Sequence, residues 1–172
     1  MSGTRMKEDP AAGGPPRGVI PPSGRGGRFL SDVIVDLGFA ARETVEQSLD
    51  ASRAPGKKLG RTLVEMGILS EHELGRAVAE QYRLDYLDLE EFDIDPEATA
   101  FIGEKEMKSY ELAPVAFTED GALVVAMVDP ADWMAAEEIA QLTGRRVRRA
   151  VASAAGVAQV IARLGEAEAS GE

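Results

Sequence analysis

The chain has 172 residues, a net charge of −11, 44% apolar residues and no cysteine. That composition describes a globular chain with enough apolar side chains for one ordinary domain or two small ones. It argues against disulfide frameworks and thiol chemistry, and its acidity argues against nucleic-acid polymers or an anionic membrane as the main partner. His72 is the only histidine, which leaves no basis for histidine-rich metal sites or for Ser/His/Asp triads of the usual kind. No apolar run approaches the ~18 residues of a spanning helix, and MSGTRMKEDP lacks the apolar centre of a secretory signal, so a cytoplasmic address is expected.

Residues 1–27 hold seven glycines and five prolines with few apolar residues, and the charge through Arg28 is weakly basic. Such a segment buries too little surface to offset its ordering entropy, which predicts a disordered tail. From Phe29 the pattern turns helical and repeats. LSDVIVDLG (30–38) ends on a glycine suited to the end of a helix, and ARETVEQSLDAS (41–52) spaces Val45, Leu49 and Ser52 on one face. After the spacer RAPGK (53–57), LGRTLVEMG (59–67) again ends on glycine, and SEHELGRAVAEQ (70–81) spaces Leu74, Val78 and Gln81 in the same way. Ser70 and Glu73 form a capping-box signature. Aligning Gly38 with Gly67 gives two units, 29–52 and 58–81, a degenerate tandem repeat of helix–turn–helix units.

From Leu84 the pattern changes. DYLDL (85–89) predicts a short strand, and DPEATAFIGEKEMKSY (95–110) two short helices. LAPVAFT (112–118) and ALVVAMV (122–128) read as a strand pair closed by an acidic turn. DPADWMAAEEIAQLTG (129–144) reads as a helix, RVRRAVA (146–152) as a strand with one wet face, and SAAGVAQVIARLG (153–165) as a last helix capped by Ser153, with a frayed end beyond it. The expected fold class is α+β, with a tail over 1–27, a helical tandem-repeat subdomain over 28–84, a small α/β subdomain over 85–165 and a second tail over 166–172.

The Gly/Lys-rich stretch around residue 58 invites a phosphate-loop reading. A P-loop requires G-x-x-x-x-G-K-[ST], and counting from Gly56 or Gly60 puts Arg61 or Glu65 where the second glycine belongs. The spacing excludes a Walker loop. It fits a different pattern: Lys58, Leu59, Gly60, Leu63, Gly67, Leu74, Val78 and Gln81 resemble the motif [R/K]-L-G-x-x-L-x-x-x-G-x6-L-x3-L-x2-Q of the MshEN-type N-terminal domain of type II secretion and type IV pilus assembly ATPases. In its tandem form that domain binds cyclic di-GMP. DYLDLEEFDIDPEA and LVVAMVDPAD in the second half are also similar to the family, so the resemblance spans roughly 28–165.

The resemblance implies a ligand site formed by Arg28, Leu30, Ile34, Gly38, Lys58, Leu59, Gly60, Leu63, Gly67, Leu74, Val78 and Gln81. The cation would meet a guanine face or a phosphate, Gly60 would allow close backbone approach, and Gln81 would present its amide to a base edge. The first copy departs from the pattern, with Phe29 at the cation position, Ser31 for the glycine and Ser52 for the glutamine; Arg28 lies one residue early. Independently of any ligand, Leu59, Leu63, Leu74 and Val78 are helical core positions, and Gly38 and Gly67 are caps.

Other residues carry less. Asp93 and Asp95 are fragments of a calcium loop without its remaining ligands. His72 lies inside the capping box, Trp133 in the first turn of a helix suits a packing anchor, and Arg145, Arg146, Arg148 and Arg149 suit a solvated strand face or an acidic partner surface. No catalytic constellation, metal site or cofactor is expected. The expected function is a non-catalytic regulatory or protein-interaction module without the ATPase, engaging a secretion or pilus assembly ATPase or inner-membrane platform proteins, and peripheral to that membrane through them. The alternative is a stand-alone cyclic di-GMP receptor acting on another protein.

Overall fold

A computed structural model describes residues 5–6, 15–24, 29–52 and 58–169. Its first half is the repeat: α1 (Leu30–Asp36), α2 (Arg42–Ser52), α3 (Leu59–Glu65) and α4 (Glu71–Tyr82). The second pair begins 29 residues after the first. Phe29 and Lys58 occupy equivalent caps with nearly identical extended backbones (φ −104°, ψ 144° and φ −103°, ψ 143°). Both short helices end in the same motif. In the first, the Gly38 and Phe39 amides donate to the Val35 and Ile34 carbonyls; in the second, Gly67 and Ile68 donate to Val64 and Leu63. This Schellman geometry needs a left-handed residue, and Gly38 (φ +78°) and Gly67 (φ +75°) supply it. Ser70 and Glu73 complete the capping box at α4, at 3.1 Å and 3.0 Å. The two units close on one another around Val33, Ile34, Val45, Leu63, Leu69 and Ala77.

The second half is a six-stranded mixed sheet in the order β1-β4-β5-β6-β3-β2, built from β1 (Arg5–Met6), β2 (Val19–Ile20), β3 (Tyr86–Leu87), β4 (Leu112–Thr118), β5 (Leu123–Met127) and β6 (Val147–Val151). The β4–β5 hairpin is antiparallel with an irregularity between Pro114 and Ala116, while β5–β6 and β6–β3 are parallel. β5 is buried throughout because both faces of the sheet are covered, so its sequence is continuously apolar. Its alternating side chains serve two cores. Val124 and Ala126 join Met107 of α6 (Glu104–Tyr110) and Val157, Val160 and Ile161 of α8 (Ala154–Ala169). Leu123, Val125 and Met127 join Ala135 and Ile139 of α7 (Trp133–Thr143), which crosses over between β5 and β6. The short α5 (Pro96–Thr99) is N-capped by Asp95. The fold is α+β.

Several elements differ from the sequence expectation. Residues 15–24, composed like a tail, lie along the structure: β2 pairs antiparallel with β3, and the Gly18 carbonyl accepts from the Asp88 amide at 2.8 Å. Glu80, buried on α4, accepts from the Ser23 amide and hydroxyl at 2.8 and 2.7 Å and from the Gly24 amide at 2.8 Å. The signal was there in Val19-Ile20, two apolar residues inside a Gly/Pro context. The rest of the 1–27 segment, apart from Arg5–Met6 in β1, and the spacer 53–57 lie outside the described residues. The strand at 85–89 shrinks to Tyr86–Leu87, and α8 continues past Gly165 to Ala169.

Tyr86 joins the two halves. It is buried, and its ring fills the space left by the missing side chain of Gly75 on α4. Its hydroxyl is hydrogen-bonded to His72 Nδ1 at 2.6 Å, and burial pushes its pKa up to about 12, so it remains protonated. His72 is therefore engaged in joining α4 to the sheet.

Candidate functional site

Where α4 meets the sheet, a groove of about 580 Å³ opens between the second repeat and the start of α7. Its first wall is Lys58, Gly60, Arg61 and Glu65 from the α3 unit, Leu74, Val78, Gln81 and Tyr82 from α4, and Leu30 from α1. Its second wall is Glu111, Val128, Asp129 and Ala131 from the sheet half. The helical spacing of Leu74, Val78 and Gln81 aligns them on one side of α4, which is why they share the groove.

Six of the twelve residues expected at a ligand site line this groove: Leu30, Lys58, Gly60, Leu74, Val78 and Gln81. The others do other work. Ile34 and Leu63 are fully buried in the repeat core, and Leu59 packs against that core. Gly38 and Gly67 are left-handed helix ends. Arg28 lies outside the described residues. Gly60 also serves packing: a Cβ there would fall 2.5 Å from Leu74 Cδ1 and 3.4 Å from Leu30 Cδ2, so the missing side chain makes room for the helices beside the groove.

The groove's charges are mixed. Lys58 Nζ lies 3.4 Å from Asp129 Oδ2 and spans the two walls. Arg61 is held at 2.9 Å by Glu71, and this hydrogen bond raises its pKa. Asp129 is itself fixed, because its Oδ1 accepts from the Ala131 amide at 3.0 Å while the Pro130 carbonyl accepts from Arg149. Sequence reasoning missed Asp129 and Glu111: they stand about 50 and more residues beyond Lys58, and only the packing of sheet on repeat brings them alongside it. LVVAMVDPAD was visible as a strand followed by a helix start, which places Asp129 at a strand's C-terminal end, the one available signal.

The remaining candidates resolve into structural roles. Asp95 Oδ1 accepts from the Glu97 amide at 2.9 Å. The arginine cluster is dispersed: Arg145 stacks 5.0 and 5.1 Å over Phe101 and Phe117, Arg146 pairs with Asp120, and Arg148 pairs with the half-buried Asp85. Trp133 departs from the packing expectation and is 66% exposed. Among the described residues, no group of acidic or histidine side chains could hold a metal ion, and no helix is long and apolar enough to cross a membrane.

The arrangement of a helical repeat docked on a helix-covered mixed sheet places the chain in a class of α+β domains that includes the N-terminal domain of XpsE, with a TM-score of 0.57 at 19% identity over 78% of this chain and 92% of that one. The chain belongs to the MshEN domain family, which matches residues 82–171, just over half of its length. The structure of MshE with cyclic di-GMP superposes with a TM-score of 0.67 at 27% identity, covering 80% of this chain and 99% of that one. In sequence, the type IV pilus assembly ATPase PilB of Thermus thermophilus is 35% identical over 120 residues, or 69% of this chain. PilB of Myxococcus xanthus is 24% identical over 134 residues, or 78% of this chain. The chain spans only 14% and 24% of the length of these two ATPases.

Proposed function

We propose that this chain is a non-catalytic regulatory and protein-interaction module of a secretion or pilus assembly system, acting in the cytoplasm on an assembly ATPase or on inner-membrane platform proteins. The observation that carries this reading is membership of the MshEN family together with similarity to a stretch making up 14% and 24% of two pilus assembly ATPases. Its groove supports binding rather than chemistry, since the lining offers cations, carboxylates, an amide and apolar walls in no nucleophile–base arrangement. The test is affinity capture of the tagged chain against the purified assembly ATPase and platform proteins of its own organism. Capture of one of them supports the reading, and failure of all of them rejects it.

A second reading is favoured by one specific observation: the groove gathers Lys58, Gly60, Leu74, Val78 and Gln81 of the second repeat, and the similar MshE is bound to cyclic di-GMP. In this reading Lys58 meets a phosphate, Leu74 and Val78 wall a base, and Gln81 with Asp129 reads a guanine edge, whose N1–H and N2–H suit a carboxylate acceptor. Among the described residues, the first repeat contributes only Leu30 to this groove. Calorimetry with cyclic di-GMP at ~100 μM checks it, because a bound ligand must also raise the melting temperature. Lys58→Ala and Gln81→Ala are expected to weaken binding about tenfold or more, consistent with ~1.5–3 kcal/mol for a hydrogen bond to a charged group. Ser52→Ala should leave it unchanged. No heat and no thermal shift would remove this second reading and leave the first intact.

A further inference from the structure

The charges of the groove set a limit on the ligand it can hold. Phe29 and Lys58 occupy equivalent caps in the two repeats, with nearly identical backbones. At this position the second repeat gives the groove a cation, whereas the first presents an uncharged ring that is 63% exposed. Among the described residues, the lining carries two cations, Lys58 and Arg61, against three carboxylates, Glu65, Glu111 and Asp129. Arg61 is committed to Glu71 at 2.9 Å. Lys58 is 3.4 Å from Asp129, but both side chains are at least half exposed, and an ion pair of that kind is weak and readily exchanged. Lys58 is therefore the cation that an anionic ligand can recruit.

Asp129 is the fixed half of that pair. Its Oδ1 accepts from the Ala131 amide at 3.0 Å, which leaves Oδ2 toward Lys58 across the groove. A guanine edge offers N1–H and N2–H donors to such a carboxylate, whereas adenine presents an acceptor at N1. A ligand with one guanine and one phosphate thus exchanges the ion pair for two charge-assisted contacts, base on Asp129 and phosphate on Lys58. Leu74 and Val78 lie beside them as an apolar wall. A second phosphate has no comparable exchange. It enters a lining whose carboxylates outnumber its cations, and a like charge near Glu65 or Glu111 is unfavourable.

We infer that the groove is a site for a single guanosine monophosphate unit, in which one guanine and one phosphate determine affinity and a second phosphate weakens it. This inference rests on the nucleotide reading above and narrows its ligand class. A cyclic dinucleotide then seats one of its halves, and its other guanine and phosphate add no affinity.

The test is calorimetry of the full chain with guanosine, GMP, GDP, AMP and cyclic di-GMP, each to ~1 mM. GMP is expected to bind, AMP to give no heat, and guanosine to bind at least about fivefold more weakly than GMP. GDP should bind at least about threefold more weakly than GMP, and cyclic di-GMP within about fivefold of it. Glu111→Gln should narrow the gap between GDP and GMP, and Lys58→Ala should close the gap between GMP and guanosine. Both side chains are exposed, so the ligand-free variants should melt close to the parent. GDP or cyclic di-GMP binding more than about tenfold tighter than GMP would overturn the single-unit site and keep the nucleotide reading. Equal binding of AMP and GMP would overturn the guanine contact of Asp129. Absence of binding by every guanine compound, with the chain folded, would remove the nucleotide reading and the single-unit site together.

Discussion

At the scale of single residues, two glycines of the second repeat make different demands although both sit in helices. A Cβ on Gly75 would press into the ring of Tyr86, which is rigid, buried and hydrogen-bonded to His72, and has nowhere to go. Overpacking there costs about 1–3 kcal/mol, against about 1 kcal/mol gained in helix propensity, so Gly75→Ala should lose about 1 kcal/mol in urea denaturation. A Cβ on Gly60 meets only the methyl ends of Leu74 and Leu30, which can rotate. Gly60→Ala should therefore stay within about 1 kcal/mol of the parent stability, while Leu74 turns into the groove and reduces any ligand binding measured there. Loss of more than ~2 kcal/mol for Gly60→Ala would contradict this account of its packing.

Asp85 makes a second prediction at this scale. Burial raises its pKa, and Arg148, 3.3 Å away, lowers it in part. As pH falls, the folded chain takes up this proton before the unfolded chain does. The residue thus contributes stability that is present at acid pH and lost as pH rises through its folded pKa. Arg148→Met leaves the carboxylate without its partner and should cost about 1–3 kcal/mol at pH 7. The deficit should narrow toward the ordinary aspartate range near pH 4, as followed by thermal melts across pH. A deficit independent of pH would show that Arg148 acts through packing alone.

At the scale of elements, the strap over residues 15–24 is held by three devices: the β2–β3 pairing, the Glu80 carboxylate that gathers three donors from Ser23 and Gly24, and the Arg17–Glu91 ion pair. Gly18 is its tightest point. With φ +82° and a Cβ position 2.7 Å from the Phe92 amide nitrogen, it admits no side chain. Gly18→Ala should cost about 1–3 kcal/mol in strain and lost pairing. It should also speed protease cleavage within 15–24, and unchanged cleavage would show that the strap does not depend on this turn. The strap was hidden in the sequence because its anchors are distant: Glu80 and Asp88 lie more than 55 residues from Ser23 and Gly18, and glycine and proline obscure a two-residue strand. The tandem repeat was legible because its signals are local, in glycines at helix ends, a capping box and apolar spacing. Each depends on residues within one turn of the other. The β4–β5 hairpin and α7 were legible for the same reason.

At the scale of the whole molecule, half of the candidate site could be read from the sequence and half could not. Leu74, Val78 and Gln81 were placed on one side of a helix by their spacing, and Lys58 and Gly60 were added to them by the resemblance to the family motif. The opposing wall, Glu111, Val128, Asp129 and Ala131, exists only because α4 docks through Tyr86 onto the sheet beside the start of α7. Docking also dispersed the arginine cluster into separate pairs and left Trp133 exposed, neither of which periodicity can foresee. What emerges is a repeat that lines one side of a groove and a sheet that supplies the other.

The most direct test of the proposed interaction role is a calorimetric titration of the purified chain with the assembly ATPase and the platform proteins of its own organism. The account predicts saturable binding to one of them. Absence of binding to all of them, with the chain folded and monodisperse, would contradict it.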